Sequence, residues 1–396
     1  MPASESSRAS WTGTCGSHDP PHRLDQRQRP HPHHQLKEDH DQHLTKYLGG
    51  NSCAPVQVGS PASLLAVVPD LLGFIPDSSL VLIGTEPPHG RVKLTLRYDL
   101  PEPPDATLAA EMIQHAAEVF AAQRVETVVA IGYGPGQLVA PVAEAIRMSA
   151  SIHVAEILRV EDGRYWSYLC GDEDCCPAEG TPFDTGHPAA ALTSEGRVLA
   201  DRDELAATVA AVGGEAGESM RRATRRAEER TAGLVTQAAS PDRPARFTAS
   251  GLGAVAKVID RYRRGDRPAT DQEAAWLTVV LRDLRVRDDT WARMDPGHQQ
   301  AHLRLWTDLT CRARPGYVPA PASLLAFVAW QSGNGALANV ALDRALADDP
   351  QYSMAVLLRQ VIGSGVPPSM ARLPMTPEEV AASYDDLEND TLAEQS

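Results

Sequence analysis

Strand patterns are confined to one stretch of this chain, and beyond it every apolar pattern is helical. Ser79-Leu-Val-Leu-Ile-Gly84 is a continuous apolar run bounded by turn residues, the pattern of a buried strand. Val92, Leu94 and Leu96 alternate with Lys93, Thr95 and Arg97, as a half-exposed strand does. The Pro- and Gly-bearing segment Thr85–Gly90 between them predicts a hairpin. Thr127–Ile131 reads as the next buried strand. Ile152–Val160 and Arg164–Cys170 read as two more, joined by Asp162-Gly163, a strong short-range hairpin signal. Two helices interrupt this series. Asp105 caps the first, whose apolar positions Leu108, Met112, Ile113, Ala116, Val119 and Phe120 recur at helical spacing. The second runs from Gly136 to about Ala150. The fold class expected is an α/β N-terminal part, a mixed sheet with flanking helices, followed by an all-α C-terminal part.

Four segments follow from composition. Residues 1–55 read as a disordered, His-rich leader: His18, His22, His31, His33, His34, His40 and His43 fall among Pro, Gln, Ser and Arg with almost nothing apolar to bury. Residues 56–196 form the mixed-sheet domain, which opens with a short helix over Ser60–Pro69 and closes in a Pro/Gly-rich loop to about Gly196. Residues 197–374 form the helical domain. Asp201-Arg-Asp-Glu204 is an acidic variant of the capping box, and Thr270-Asp-Gln-Glu273 a standard one before Ala274–Leu284. Ser323 is placed to cap Leu324–Gln331, which stops at Gly333-Asn-Gly335. Ala336–Ala347 and Tyr352–Ile362 follow on either side of Asp348-Asp-Pro350. Residues 375–396 carry seven acids and no Lys or Arg, the composition of a solvated or disordered tail.

No run approaches the roughly 20 apolar residues of a membrane span, and the polar N-terminus lacks the apolar core of a secretory signal. The expectation is a soluble, cytoplasmic protein. Its net charge of −15 argues against affinity for nucleic acid or anionic membrane. Basic residues concentrate between 221 and 314, with acidic segments on both sides. Acids such as Glu228, Glu229, Asp260 and Asp283 are interspersed there, so the basic middle is expected to dock on the acidic front of its own chain rather than on an external polyanion.

Cys170, Cys175 and Cys176 form the most specific local feature: three thiols within seven residues, on a turn after a strand. Structural thiols, a redox-formed disulfide and a metal site all fit them, and no metal is assigned. The spacing Cys-x₄-Cys-Cys offers three ligands where a structural zinc site takes four, and the nearest further candidate is His187. Asp172, Glu173 and Asp174 disfavour a standing thiolate by repulsion. Gly132-Tyr-Gly134-Pro-Gly136 lies between a strand and a helix, where α/β sheets bind ligands. It reads either as a tight turn or as a ligand loop. Pro135 removes one amide that a phosphate cradle would use. Glu111, His115 and Glu118 share one helix face, either as a simple polar face or as an acid–base group. Arg221, Arg222, Arg225, Arg226 and Arg230 read either as an anion-binding stripe or as a salt-bridged exposed helix, and the second is expected from the i,i+4 pairs Glu218–Arg222 and Arg225–Glu229.

Several of these segments resemble one family. Ser60-Pro-Ala-Ser-Leu-Leu-Ala-Val-Val-Pro69 with Leu71-Leu-Gly-Phe-Ile-Pro-Asp-Ser-Ser-Leu-Val-Leu-Ile-Gly84 resembles the opening of the actinobacterial family of domain of unknown function 4192 (DUF4192). Tyr165-Trp-Ser-Tyr-Leu-Cys170 with Cys175-Cys176-Pro177 and Gly180-Thr-Pro182 resembles its central motif. Leu324-Leu-Ala-Phe-Val-Ala-Trp330, Gly333-Asn-Gly-Ala-Leu-Ala338, Ala341-Leu-Asp-Arg-Ala345 and Asp349-Pro-Gln-Tyr352 resemble its C-terminal motif, with Asn334 where Asp is expected. The resemblance spans about residues 56–374 and brings no established activity, so catalytic residues and cofactors stay unassigned. Its C-terminal motif is also similar to one unit of a tetratricopeptide repeat, which points to partner binding. Two functions are therefore expected in order. The first is a non-enzymatic binding or regulatory protein that uses its helical domain for a protein partner or homo-oligomer. The second is a small-molecule enzyme or ligand sensor with its site near Gly132–Gly136 and Cys170–Cys176.

Overall fold

The computed structural model describes residues 45–46, 56–57, 60–86, 91–172, 174–184, 198–236, 243–370 and 375–394. The leader's histidines, the hairpin loop 87–90, and the Pro/Gly-rich loop with His187 lie outside the described residues. Within the leader only Thr45–Lys46, paired antiparallel with Val56–Gln57, is described.

Helix α1 (Pro61–Leu72) begins at a capping box between Ser60 and Ser63 and ends at Gly73 in the left-handed conformation. The main sheet is built from β1 (Ser79–Glu86), β2 (Arg91–Asp99), β3 (Thr127–Tyr133), β4 (Val154–Glu161), β5 (Arg164–Ser167) and β6 (Thr181–Pro182). Its spatial order is β2-β1-β3-β4-β5-β6, with only β3 and β4 parallel. The crossover that makes them parallel is α3 (Gly136–Met148), and α2 (Ala106–Ala122) connects β2 to β3. Asp105 caps α2 through its side chain, which accepts from the amides of Thr107 and Leu108. Asp162 and Gly163 both take positive φ, +48° and +71°, the conformation that a two-residue hairpin with matching strand twist requires.

The continuous apolar run of β1 has a simple cause: both faces of the sheet are covered. Leu80 and Leu82, with Val128, Ala130 and Ile157, pack against Ile113 and Phe120 of α2 and Val139, Val142 and Ile146 of α3. Val81 and Ile83 alternate to the other face. There, with Val129, Ile131, Leu158 and Val160, they join α1 and the helical part in one continuous buried cluster.

From Asp201 the described residues hold helices only: α4 (Arg202–Ala207), α5 (Gly214–Thr236), α6 (Arg243–Arg263), α7 (Asp271–Val280), α8 (Leu284–Ala292), α9 (Gln299–Arg312), α10 (Pro319–Gln331), α11 (Gly335–Asp348), α12 (Ser353–Gly363) and α13 (Pro377–Glu394). The expected caps at Asp201 and Thr270 are present. Helix α10 is buried along its length from Pro319 to Trp330, so it is the apolar axis around which α9, α11 and α12 pack.

Four local expectations are corrected. The strand before the thiols stops at Ser167 rather than Cys170, because the Ser167 hydroxyl accepts from the amides of Leu169 and Cys170 and turns the chain. The helix after Thr270 ends at Val280. Asp283 then caps a new helix, accepting from Arg285 and Val286. Ser323 lies inside α10 rather than at its start, since Pro319 and Pro321 occupy the first turn, where no amide donor is needed. The acidic tail is helical and its first half packs: Val380 is buried, Asp385 pairs with Arg285 at 2.8 Å, and the Tyr384 hydroxyl donates to Asp288.

Candidate functional site

The thiol cluster sits on the turn that leaves β5. The Ser167 hydroxyl also donates to Glu156 of β4, which fixes where the turn begins. The Asp172 carbonyl then accepts from the amides of Cys175 and Cys176 at 3.2 and 2.7 Å, folding them back toward Cys170. All three Sγ atoms lie within 4.8 Å of one another. Cys170 and Cys176 are half-buried, Cys175 is exposed, and all three are free thiols. Burial pushes the Cys176 thiol up to about 12, and its two neighbouring thiols push the same way. Cys175 is raised by burial and then by Cys170 and Asp172, against the opposing hydrogen bond of Cys176. Left to themselves Cys175 and Cys176 stay protonated, so neither is a standing nucleophile.

Trp166 braces the far side of this turn. Its Nε1 donates to the Ala178 carbonyl at 2.9 Å, and the Arg164 guanidinium donates to the carbonyls of Glu179 and Gly180. A Cβ on Gly180 would come within 2.5 Å of the Trp166 ring, so only glycine lets the chain pass there. The Arg159 guanidinium stacks on the other part of the indole at 3.6 Å and pairs with Glu161.

Arg159 also links the thiol turn to the glycine turn, since its Nη1 lies 3.5 Å from where a Cβ on Gly136 would be. Packing accounts for Gly132 and backbone conformation for Gly134. A Cβ on Gly132 would sit 2.3 Å from Val139 Cγ1, and Gly134 takes φ +133°. They let α3 close down on β3. A cavity of about 300 Å³ lies at the opposite end of β3, lined by Phe120, Val125, Val128, Ile152 and His153.

The remaining candidates separate. His115 Nδ1 is hydrogen-bonded to the Tyr98 hydroxyl at 2.8 Å, while Glu118 accepts from Gln114. The face Glu111, His115 and Glu118 is exposed and its members are drawn to different partners. On α5, neither expected i,i+4 pair forms. Glu218 turns to Arg221 instead, and Arg230 stacks on Trp276 and donates to Ser250. Arg222, Arg225 and Arg226 remain exposed with no partner among the described residues. Several other arginines of the basic middle are held within the helical part: Arg261 by Glu273, Arg293 by Asp289, Arg263 by Asp295, and Arg312 by Asp308 and Asp271. These pairs lie within the helical part, Arg285 reaches the tail at Asp385, and the helical part meets the sheet through the shared apolar cluster.

Sequence reasoning missed His302. It is only 1% exposed on α9, with neither ring nitrogen partnered among the described residues. Burial, then the nearby Arg263, lower its pKa to about 4, against the smaller pull of Asp295. Its i+4 neighbour Trp306 and i+8 neighbour Thr310 are likewise buried with an unpartnered polar atom. Only the position of His302 in the helical apolar stripe of α9 hints at this.

The fold and the thiol turn define an α/β protein with a helical body built onto one sheet face and a three-sulfur centre at the rim. No helix among the described residues is long and apolar enough to cross a membrane. The chain belongs to the family described as Domain of unknown function (DUF4192), whose profile matches residues 61–369. No curated protein and no solved structure matches it.

Proposed function

We propose that this chain is a non-enzymatic binding or regulatory protein of the cytoplasm, and that its helical part docks an acidic protein partner through α5. One observation carries the reading. Arg222, Arg225 and Arg226 stand at i, i+3 and i+4 on one exposed face, unpaired among the described residues, while Arg221 on the same helix and Arg261, Arg263, Arg293 and Arg312 elsewhere are paired with carboxylates. Met220, Ala223, Thr224 and Ala227 seat the opposite face of α5 in the core, so the arginines are displayed on a fixed support. A rigid row of guanidinium groups favours carboxylates, which it meets bidentately. The use of Gly132 in helix–strand packing and of Gly134 for its positive φ supports this reading over a small-molecule site at that turn.

The test is fluorescence anisotropy of a labelled oligo-glutamate peptide titrated with the full chain. The expected result is binding that weakens as salt rises. It is lost in the triple variant R222E/R225E/R226E and kept in R147E, which changes an exposed charge on α3. Equal binding by the triple variant, or no binding at low salt, would overturn the proposal.

A further inference from the structure

We propose that Cys170, Cys175 and Cys176 form a binding site for one Zn²⁺ ion, held by three thiolates with a water in the fourth position. Geometry is the first reason. The three Sγ atoms already lie within 4.8 Å of one another, although they come from both ends of a seven-residue turn. In a tetrahedral site with Zn–S bonds of about 2.3 Å the sulfurs stand about 3.8 Å apart, so closure needs side-chain shifts of only about 1 Å. The backbone that converges them is fixed independently, by Ser167 at the start of the turn, by the Asp172 carbonyl in its middle, and by Trp166 and Arg164 at its end.

The second reason is what the turn lacks. From Leu169 to Ala178 no described apolar side chain is buried, and Leu169 is 46% exposed. Apolar burial therefore does not hold this segment, and a metal cross-link is the usual substitute where a core cannot be built. The third reason is donor chemistry. An all-sulfur set selects a thiophilic ion over hard cations such as Mg²⁺ or Ca²⁺. The carboxylates of Asp172 and Asp174 add a field that attracts a cation. On binding, each thiol gives its proton to solvent, so three protons leave as one Zn²⁺ enters, and the centre carries a single negative charge.

The test uses the full chain purified with reductant and without added chelator. Elemental analysis is expected to return one zinc per chain. C170S, C175S and C176S should each lower occupancy at least tenfold, whereas C311S, which changes a thiol in α9 of the helical part, keeps it. Because a serine variant can also perturb folding, the wild-type chain is stripped with a chelator and reloaded with Co²⁺. Thiolate-to-cobalt charge transfer and intense d–d bands are then expected, with circular dichroism unchanged in the helical region. Reduced, folded protein that shows no charge-transfer band with Co²⁺ would overturn the proposal. So would intact mass showing a disulfide among these cysteines that persists as the only product when reductant and Zn²⁺ are supplied together.

Discussion

His302 sits in the helical core without a hydrogen-bond partner among the described residues, and replacing it by Leu exposes what its burial costs. In the folded chain its pKa is lowered to about 4, against an ordinary 6.5, because the imidazolium would lose hydration and face Arg263 and His298, with only Asp295 in compensation. A group whose pKa is lowered on folding binds fewer protons in the native state, so stability falls as pH drops from the unfolded pKa toward the folded one. The window runs from about pH 6.5 to about pH 4. With a shift of that size the linkage removes about 2 kcal/mol between pH 7 and pH 5, and about 3 kcal/mol once both states are protonated. The carboxylates titrate over part of the same range, so the informative quantity is the difference between the wild type and H302L. Urea unfolding followed by circular dichroism at several pH values measures it. H302L should gain about 2 kcal/mol relative to wild type on going from pH 7 to pH 5. A difference between the two proteins that stays constant over that range would refute the reasoning.

Gly132→Ala should lower stability by about 1–3 kcal/mol through its clash with Val139, and adding Val139→Ala should recover part of that loss in the same unfolding assay. Glu273 is held well below the ordinary carboxylate range, chiefly by Arg261, with Thr270 and Arg267 adding to it and burial opposing. Its contribution is present above the ordinary carboxylate pKa and lost as pH falls below it. Glu273→Gln should therefore cost on the order of 1 kcal/mol at pH 7 and leave a flatter acid limb in thermal melts. Trp166→Leu removes both the bond to Ala178 and the Arg159 stack, so proteolysis at the Cys170–Gly180 turn should speed up several-fold before the helical part is attacked.

The elements most legible in the sequence are those set by local chemistry. Asp162-Gly163 specifies its hairpin because both residues accept positive φ, and Asp105, Asp201 and Thr270 mark helix starts because their side chains satisfy free amides nearby. The apolar run of β1 shows that a strand is buried, but not that the helical part covers one of its faces. What stayed hidden is decided by partners distant in sequence. The tail reads as solvated until Arg285 and Asp288 of α8 are seen to receive Asp385 and Tyr384. Ser323 reads as a cap because its type suits one, yet Pro319 and Pro321 start the helix earlier. At the thiol turn the three residues were visible as a cluster. Their convergence depends on the Ser167 and Asp172 turn bonds and on Trp166 standing over Gly180, none of which a spacing of Cys-x₄-Cys-Cys reveals.

The most direct test of the three-sulfur centre is X-ray absorption at the zinc edge on the full chain as purified under reductant. The account predicts a first shell of three sulfurs at about 2.3 Å and one lighter oxygen atom, the signature of three thiolates and a water. A first shell of nitrogen and oxygen alone, with no sulfur contribution, would contradict it.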